Sequence, residues 1–202
     1  MRWLLLPVLL LVAGPAGAAP AMLGDASISY RADRTVTVDG RSYSGTVAAR
    51  PGEQRHEQDL FGLHEYFLLD IADAHGYLVL PTVKTYVSFP FPALMAELDA
   101  PDLLSAPEGE ETIGGVATTK YRINHEAKNG DRARGELWLG HAGVLMRLEV
   151  TVTRPDGRSS LITMQLSHVK AEPVDPALFE LPPGLTELPA EALGPLLGGN
   201  PR

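Results

Sequence analysis

The sequence contains no cysteine among its 202 residues, and only 6% of its residues are aromatic. Without cysteine the chain forms no disulfide, no thiolate metal site, no cysteine nucleophile and no cysteine-linked lipid anchor. Its stability must therefore come from an ordinary hydrophobic core, and the chain is long enough to bury one.

Basic residues are also in short supply, because 17 Lys and Arg face 25 Asp and Glu, for a formal net charge of −8. An acidic chain lacks the basic surface that binds phosphate backbones, so we expect no nucleic-acid partner. Bulk charge likewise disfavours docking to an anionic membrane.

Recognisable catalytic motifs are missing as well. The sequence has no Gly-x-Ser-x-Gly elbow, and Gly114-Gly115 lacks the spacing of a phosphate-binding loop. Two histidines at short spacing with carboxylate support, as a metal site needs, are approached only at His56-Glu57, Asp59 and His64-Glu65, where an exposed polar strand and its loop are a sufficient explanation. We therefore predict no catalytic residue, no metal site and no cofactor, and an exported hydrolase is the less favoured alternative.

The most apolar run of the chain, residues 3–12, is too short to span a bilayer comfortably. It follows Arg2 and precedes the small residues Ala16-Gly17-Ala18, which is the pattern of a Sec-type signal peptide. We predict a signal peptide over residues 1–21, a domain over residues 22–188, and a flexible tail over residues 189–202. The mature protein is expected to be soluble in the periplasm.

Strict alternation of apolar and polar residues dominates residues 118–169. Leu148 and Val150 share one parity and flank Glu149 on the other, as in a strand with one buried face. Turn signals at Asn129-Gly130 and Pro155-Asp156-Gly157 divide the region into a four-stranded antiparallel meander.

The first half of the chain also predicts strands. Asp39-Gly40 is a strong hairpin signal between strands at residues 28–38 and 41–49. Residues 53–60 are polar and predict an edge strand, since charges discourage pairing between edges. Residues 66–69 and 77–80 are apolar on both parities, which predicts strands covered on both faces.

One short helix is predicted after the strand at residues 85–89. Pro92 suits the first helical position, and Phe91, Leu94, Met95 and Leu98 form one apolar stripe along residues 93–98. A helix of this length is not stable alone, so it needs an apolar surface to lie on. We expect it to form a lid over the apolar face of the sheet.

The sequence resembles the periplasmic domains of unknown function related to the LolA/LolB lipoprotein-localisation superfamily. The resemblance covers residues 27–184 and rests on Tyr30-Arg31-Ala32-Asp33, Asp39-Gly40, Leu78-Val79-Leu80-Pro81, Lys84-Thr85-Tyr86, Gly115, Thr119-Lys120-Tyr121, Glu136-Leu137-Trp138, residues 143–147 and residues 174–184. It implies a mainly β fold in which a strongly curved antiparallel sheet, a half-open barrel, has a short helical lid over a hydrophobic concavity. The chain has one predicted lid helix and no lipid-attachment cysteine.

The apolar residues of the sheet and lid are the candidate ligand-binding set, although ordinary core would show the same pattern. The expected ligand is an acyl chain, a lipid or a lipoprotein, and the expected activity is non-enzymatic carriage or sensing. The alternative is an envelope interaction or sensor protein with a filled core, whose partner is another protein. The predicted ligand-binding residues are Val36, Val38, Phe67, Leu69, Phe89, Phe91, Leu94, Met95, Leu98, Tyr121, Ile123, Met146, Leu148 and Met164.

Overall fold

A computed structural model describes residues 26–60, 62–98, 100 and 103–189. The predicted signal peptide, and all of the predicted tail except its first residue, lie outside the described residues.

The described residues form one twelve-stranded sheet and one α-helix, α1 (Pro92–Leu98). The predicted fold class is confirmed: the protein is mainly β, and the sheet is curved and open. The order of the strands in the sheet is β12-β6-β5-β4-β3-β2-β1-β11-β10-β9-β8-β7, and all neighbours are antiparallel except β12 and β6. The strands are β1 (Tyr30–Val38), β2 (Arg41–Arg50), β3 (Glu53–Leu60), β4 (Leu63–Asp70), β5 (His75–Leu80), β6 (Thr85–Pro90), β7 (Gly109–Ile113), β8 (Val116–Glu126), β9 (Arg132–Leu139), β10 (Leu145–Thr153), β11 (Ser159–Ala171) and β12 (Thr186–Glu187).

Tight turns join most neighbouring strands, as the sequence predicts. Asp39 and Gly40 both have positive φ, 49° and 82°, which is the backbone of a two-residue hairpin turn between β1 and β2. The predicted four-stranded meander is confirmed as β8 to β11.

Two irregularities bend the sheet. The register of β1 against β11 shifts between Arg31 and Asp33, beside His168, whose φ is 52°. The register of β10 against β9 shifts between Leu145 and Arg147. Such bulges increase the local twist and redirect the side chains that follow.

The prediction of an edge strand at residues 53–60 is wrong. These residues form β3, which pairs with β2 on one side and with β4 on the other. Its polar side chains are instead satisfied by partners from neighbouring strands, as described below.

Both faces of β4 and β5 are covered, which confirms the prediction from their doubly apolar sequences. We call the face on which α1 packs the inner face and the opposite one the outer face. On the outer face, Tyr66, Leu68 and Val79 are buried against a C-terminal strap, residues 173–188, through Leu181 and Leu185. A 3-10 turn, Pro176–Phe179, begins the covering part of the strap, and Asp175 caps it by accepting a hydrogen bond from the Ala177 backbone N–H.

Arg55 of β3 fastens the strap to the outer face. Its guanidinium lies 3.6 Å from the centre of the Tyr66 ring and donates a hydrogen bond of 3.1 Å to the Leu178 carbonyl. Its Nε also donates to Glu57 at 2.6 Å. One side chain therefore contributes a cation–π contact, an ion pair and a tertiary hydrogen bond.

Candidate functional site

The lid α1 packs directly on the inner face of the sheet. Phe91, Met95 and Leu98 are buried in one hydrophobic cluster with side chains from β4, β5, β6 and β8 to β11. Pro92 occupies the first helical position, where its missing N–H costs nothing. The helix has seven residues, so its apolar contact with the sheet is what holds it in helical form.

Most of the predicted ligand-binding residues come together in this cluster. Val36 is buried close by, between its cross-strand partners Met164 and Tyr43. The Leu94 side chain lies outside what the structure describes. The predicted residues that form or border the cluster are Phe67, Leu69, Phe91, Met95, Leu98, Tyr121, Ile123 and Leu148, with Val38, Phe89 and Met164 packed against it.

Met146 lies elsewhere, in a second cluster with Val144, Trp138 and Leu166. The cause is the bulge between Leu145 and Arg147, which leaves Met146 without a partner in the register of β9. Alternation counted along residues 144–152 does not reveal this, because a bulge changes which side chains share a face.

The lid is attached to both halves of the inner face. At its start, the Phe91 N–H donates to the Ala74 carbonyl at 2.8 Å, beside β5. Near its end, Glu97 Oε2 accepts a hydrogen bond of 2.8 Å from His125 Nε2 on β8. This hydrogen bond is the main reason that the pKa of Glu97 is lowered. The lid therefore crosses the cluster and is held by a polar contact at each end.

A row of polar residues crosses the inner face on β1 to β4. Arg34, Gly45, Gln58 and Glu65 are successive cross-strand partners on these four strands. The three side chains are buried, with exposed fractions of 4%, 6% and 3% for Arg34, Gln58 and Glu65. We call these four residues the polar row.

The hydrogen bonds of the polar row have one consistent direction. Arg34 Nη2 donates to Gln58 Oε1 at 2.8 Å, and Gln58 Nε2 donates to Glu65 Oε1 at 2.8 Å. Gln58 therefore separates the cation from the carboxylate, which do not touch. Burial raises the pKa of Glu65, and the hydrogen bond from Gln58 and the charge of Arg34 partly oppose that effect.

His56 extends the network as a neutral imidazole. Its Nδ1 lies 2.8 Å from Arg34 Nη1, and its Nε2 lies 2.8 Å from Gln54 Oε1. Because a guanidinium can only donate, Nδ1 is the acceptor and Nε2 carries the proton. Burial and the charge of Arg34 hold the pKa of His56 well below its ordinary value.

Gly45 makes the row possible. The guanidinium of Arg34 on β1 reaches β3 across β2 at the position of Gly45, which has no side chain to block it. A Cβ at this position would lie 1.9 Å from the Glu57 carbonyl oxygen. The close approach of β2 and β3 therefore requires glycine.

The polar row is what sequence reasoning missed. Two residues carried a signal. Arg34 alternates with the apolar residues Ala32 and Val36 and therefore points to the inner face. Gln58 also points to the inner face, although its strand was predicted to be a solvated edge. His64, in contrast, lies on the outer face with Asp59 and Glu57, at 3.2 and 3.7 Å. Within the described ranges no three histidine or acidic side chains form a group fit for a metal ion.

The outer face carries a depression of about 510 Å³ over β8 to β11. Gly135, Arg134 and Glu149 line it, and Leu161 at its border is 52% exposed. The depression lies on the opposite side of the sheet from the lid.

We compared the sequence with known families and curated proteins, and the fold with solved structures. No family model matches the sequence, and no curated protein is similar to it. An uncharacterized conserved protein of Thermus thermophilus aligns with 81% of this chain and 91% of its own, with TM-score 0.54 and 14% identity. A chain of the Pseudomonas aeruginosa MucA/MucB complex aligns with 79% of this chain and 63% of its own, with TM-score 0.52 and 14% identity.

The structural neighbours include a LolA superfamily protein. This protein, NE2245 of Nitrosomonas europaea, aligns with 77% of the chain and 91% of its own, with TM-score 0.40 and 7% identity. At sequence identities this low, the similarity to these structures shows a similar fold alone. Within the residues described, no helix is long and apolar enough to cross a membrane.

Proposed function

We propose that the protein binds a hydrophobic ligand, an acyl chain or lipid, between the inner face of its sheet and the lid α1. The protein acts without catalysis, as an exported periplasmic carrier or sensor. The observation that supports this most is the lid itself: a seven-residue helix covers an extended apolar face and is held at its end by the contact of Glu97 with His125.

The mechanism is burial of the ligand in place of lid side chains. When α1 swings away, Met95 and Leu98 leave the inner face and uncover residues such as Tyr121 and Leu148. Each CH₂ group of an acyl chain that takes their place contributes about 0.8 kcal/mol, so a long chain can offset the lost lid contacts. Closing of the lid over the chain then controls its release.

Export is part of the proposal. The signal-peptide pattern of residues 1–21 and the lack of cysteine suit a soluble protein of the periplasm. The acidic net charge of −8 suits a carrier that moves between membranes without adhering to anionic lipid.

Native mass spectrometry on the protein purified from periplasm without detergent tests the proposal. We expect an additional mass in the lipid range, or uptake of one palmitate per chain when palmitate is offered. A polypeptide mass alone, with no uptake of palmitate or of a lipoprotein, would show that the inner face is only core.

Two variants of the lid separate binding from folding. Met95→Glu with Leu98→Glu places two charges on the buried stripe, and we expect the protein to lose palmitate while its sheet stays folded. Ala96→Glu adds a charge on the exposed side of the same helix and serves as the control, with palmitate uptake unchanged.

A second candidate is docking of another envelope protein on the outer face. The observation that favours it is the exposed Leu161 beside the depression at Gly135. The aligned chain from Pseudomonas aeruginosa comes from a complex of two proteins, MucA and MucB. A docking protein keeps its ligand but loses its partner when Leu161 is replaced by Glu, whereas a carrier is unaffected by that change.

A further inference from the structure

The polar row holds a buried cation that no anion among the described residues touches. Arg34 is 4% exposed, and its guanidinium bonds to the neutral side chains of His56 and Gln58. Its Nε, also buried, has no hydrogen-bond partner in the part of the chain that the structure covers. A guanidinium carries five N–H donors, so the Arg34 guanidinium can still donate hydrogen bonds to a further acceptor.

Arg34 keeps its charge despite burial. Burial lowers the pKa of Arg34 to about 10, which still leaves the group positive at neutral pH. Buried charges are normally paired with an opposite charge, because removing an ion from water without a partner costs several kcal/mol. Glu65 supplies only part of this compensation, since Gln58 lies between the two groups.

The surroundings of Arg34 suit one end of an elongated amphipathic molecule. The next inward residue on β1 is Val36, and an unbroken apolar row runs from it across four strands towards the strand that holds the end of the lid. Four spacings between strands amount to about 19 Å, which is similar to the length of a long acyl chain. The residues of this apolar row, in register from β1 to β8, are Val36, Met164, Leu148, Leu137 and Tyr121.

We infer that Arg34 binds the anionic head group of the ligand, and that the ligand is a long-chain fatty acid whose carboxylate accepts hydrogen bonds from the guanidinium. This inference rests on the proposed function and adds the chemical class of the ligand. Its chain lies along the apolar row from Val36 to Tyr121, and the far part of this row, Leu148, Leu137 and Tyr121, shares one cluster with the side chains of α1. Glu65, as a second acid at the site, reduces the affinity for the carboxylate by repulsion.

The test compares palmitate with hexadecanol, which has the same chain length and no charge, by calorimetry at pH 8. We expect the native protein to bind palmitate about tenfold more tightly, the size of one charge-assisted hydrogen bond. Arg34→Met should bind hexadecanol as before and lose the preference for palmitate. Arg31→Met, an exposed arginine of the same strand, is the control and should keep the preference.

A second variant, Glu65→Gln, should change the affinity for palmitate in the opposite direction to Arg34→Met. The glutamine keeps an oxygen for Gln58 but removes the competing negative charge, so the affinity for palmitate should rise several-fold while that for hexadecanol stays constant. Should Arg34→Met fail to fold, this variant decides, and an unchanged affinity for palmitate would overturn the inference.

The remaining outcomes distinguish the inference from the proposed function. Equal binding of palmitate and hexadecanol by the native protein and by Arg34→Met overturns the role of Arg34 but leaves a hydrophobic carrier. Tighter binding of hexadecyl phosphate than of palmitate overturns the choice of a carboxylate. Absence of binding to all three molecules overturns both the inference and the proposed function.

Discussion

Glu97 of the lid accepts a hydrogen bond of 2.8 Å from His125 of β8, the strand that also carries Tyr121 and Ile123 in the cluster beneath the lid. The same carboxylate accepts a longer hydrogen bond, 3.4 Å, from the Lys128 backbone N–H. The Glu97 side chain thus connects the end of α1 to the sheet, in addition to the apolar contacts of the lid.

Replacing Glu97 by Gln should weaken that connection. The variant keeps a polar side chain but loses the charge, so we expect a loss of about 1 kcal/mol at most, with faster hydrogen exchange confined to α1. Glu126→Gln, an exposed change on β8, is the control. Equal exchange rates in α1 of the native protein and of Glu97→Gln would show that the contact does not hold the lid.

The stabilising effect of Glu97 should also depend on pH. Its pKa is lowered from the ordinary 4.5 in the folded state, so the carboxylate contributes stability above pH 4.5. That contribution is lost as the pH falls through the lowered pKa. The difference in free energy of unfolding between the native protein and Glu97→Gln should therefore shrink as the pH falls below 4.5. A difference that grows as the pH falls below 4.5 would contradict this account.

The centre of the apolar cluster should be sensitive to truncation. Leu148 is 1% exposed, so Leu148→Ala removes buried methyl groups and leaves a cavity, which should cost about 3 kcal/mol in denaturant unfolding. Leu161→Ala, on the outer face where the side chain is 52% exposed, should change stability by about 0.5 kcal/mol or less. Similar losses for the two variants would mean that the inner face is not the core of the protein.

Gly45 should tolerate no side chain. Gly45→Ala brings a Cβ against the Glu57 carbonyl and must move β2 away from β3, so we expect a loss of about 2 kcal/mol or more. Ser44→Ala, at the exposed neighbouring position, is the matched control and should be close to neutral. Thermal unfolding of both variants checks the prediction, and an equally stable Gly45→Ala would contradict the close approach of the two strands.

The C-terminal strap should loosen when Arg55 is shortened. Arg55→Ala removes both the contact with the Tyr66 ring and the hydrogen bond to the Leu178 carbonyl. We expect limited proteolysis within residues 173–188 to become several-fold faster, because cleavage follows local opening. Arg41→Ala, at an exposed position of β2, should leave the cleavage rate unchanged.

Local sequence patterns predicted much of the fold because their causes are local. The positive φ values at Asp39 and Gly40 follow from the residues themselves, and so do the turns of the meander. The lid was predictable because Pro92 and a two-turn apolar stripe suffice to place a short helix. Sequence alternation also identified the apolar side of most strands, and with it most of the residues beneath the lid.

The polar row could not be predicted in this way. Gln58 looks like a solvated residue of an edge strand until β3 is known to pair on both sides, and Glu65 of β4 becomes its partner only through that pairing. The position of Met146 could not be predicted either, because the bulge in the pairing of β10 with β9 changes which residues surround Met146.

The sequence by itself determined the mainly β class, the hairpins and the apolar stripe of the lid, since each depends on residues that are neighbours in the chain. The tertiary structure alone decided that β1 is the central strand between β2 and β11, and that Arg34 meets residues of β3 across Gly45. The energy of a buried charge depends on which groups surround it in space. Those groups are brought to Arg34 by strand pairing, which no stretch of the chain specifies alone.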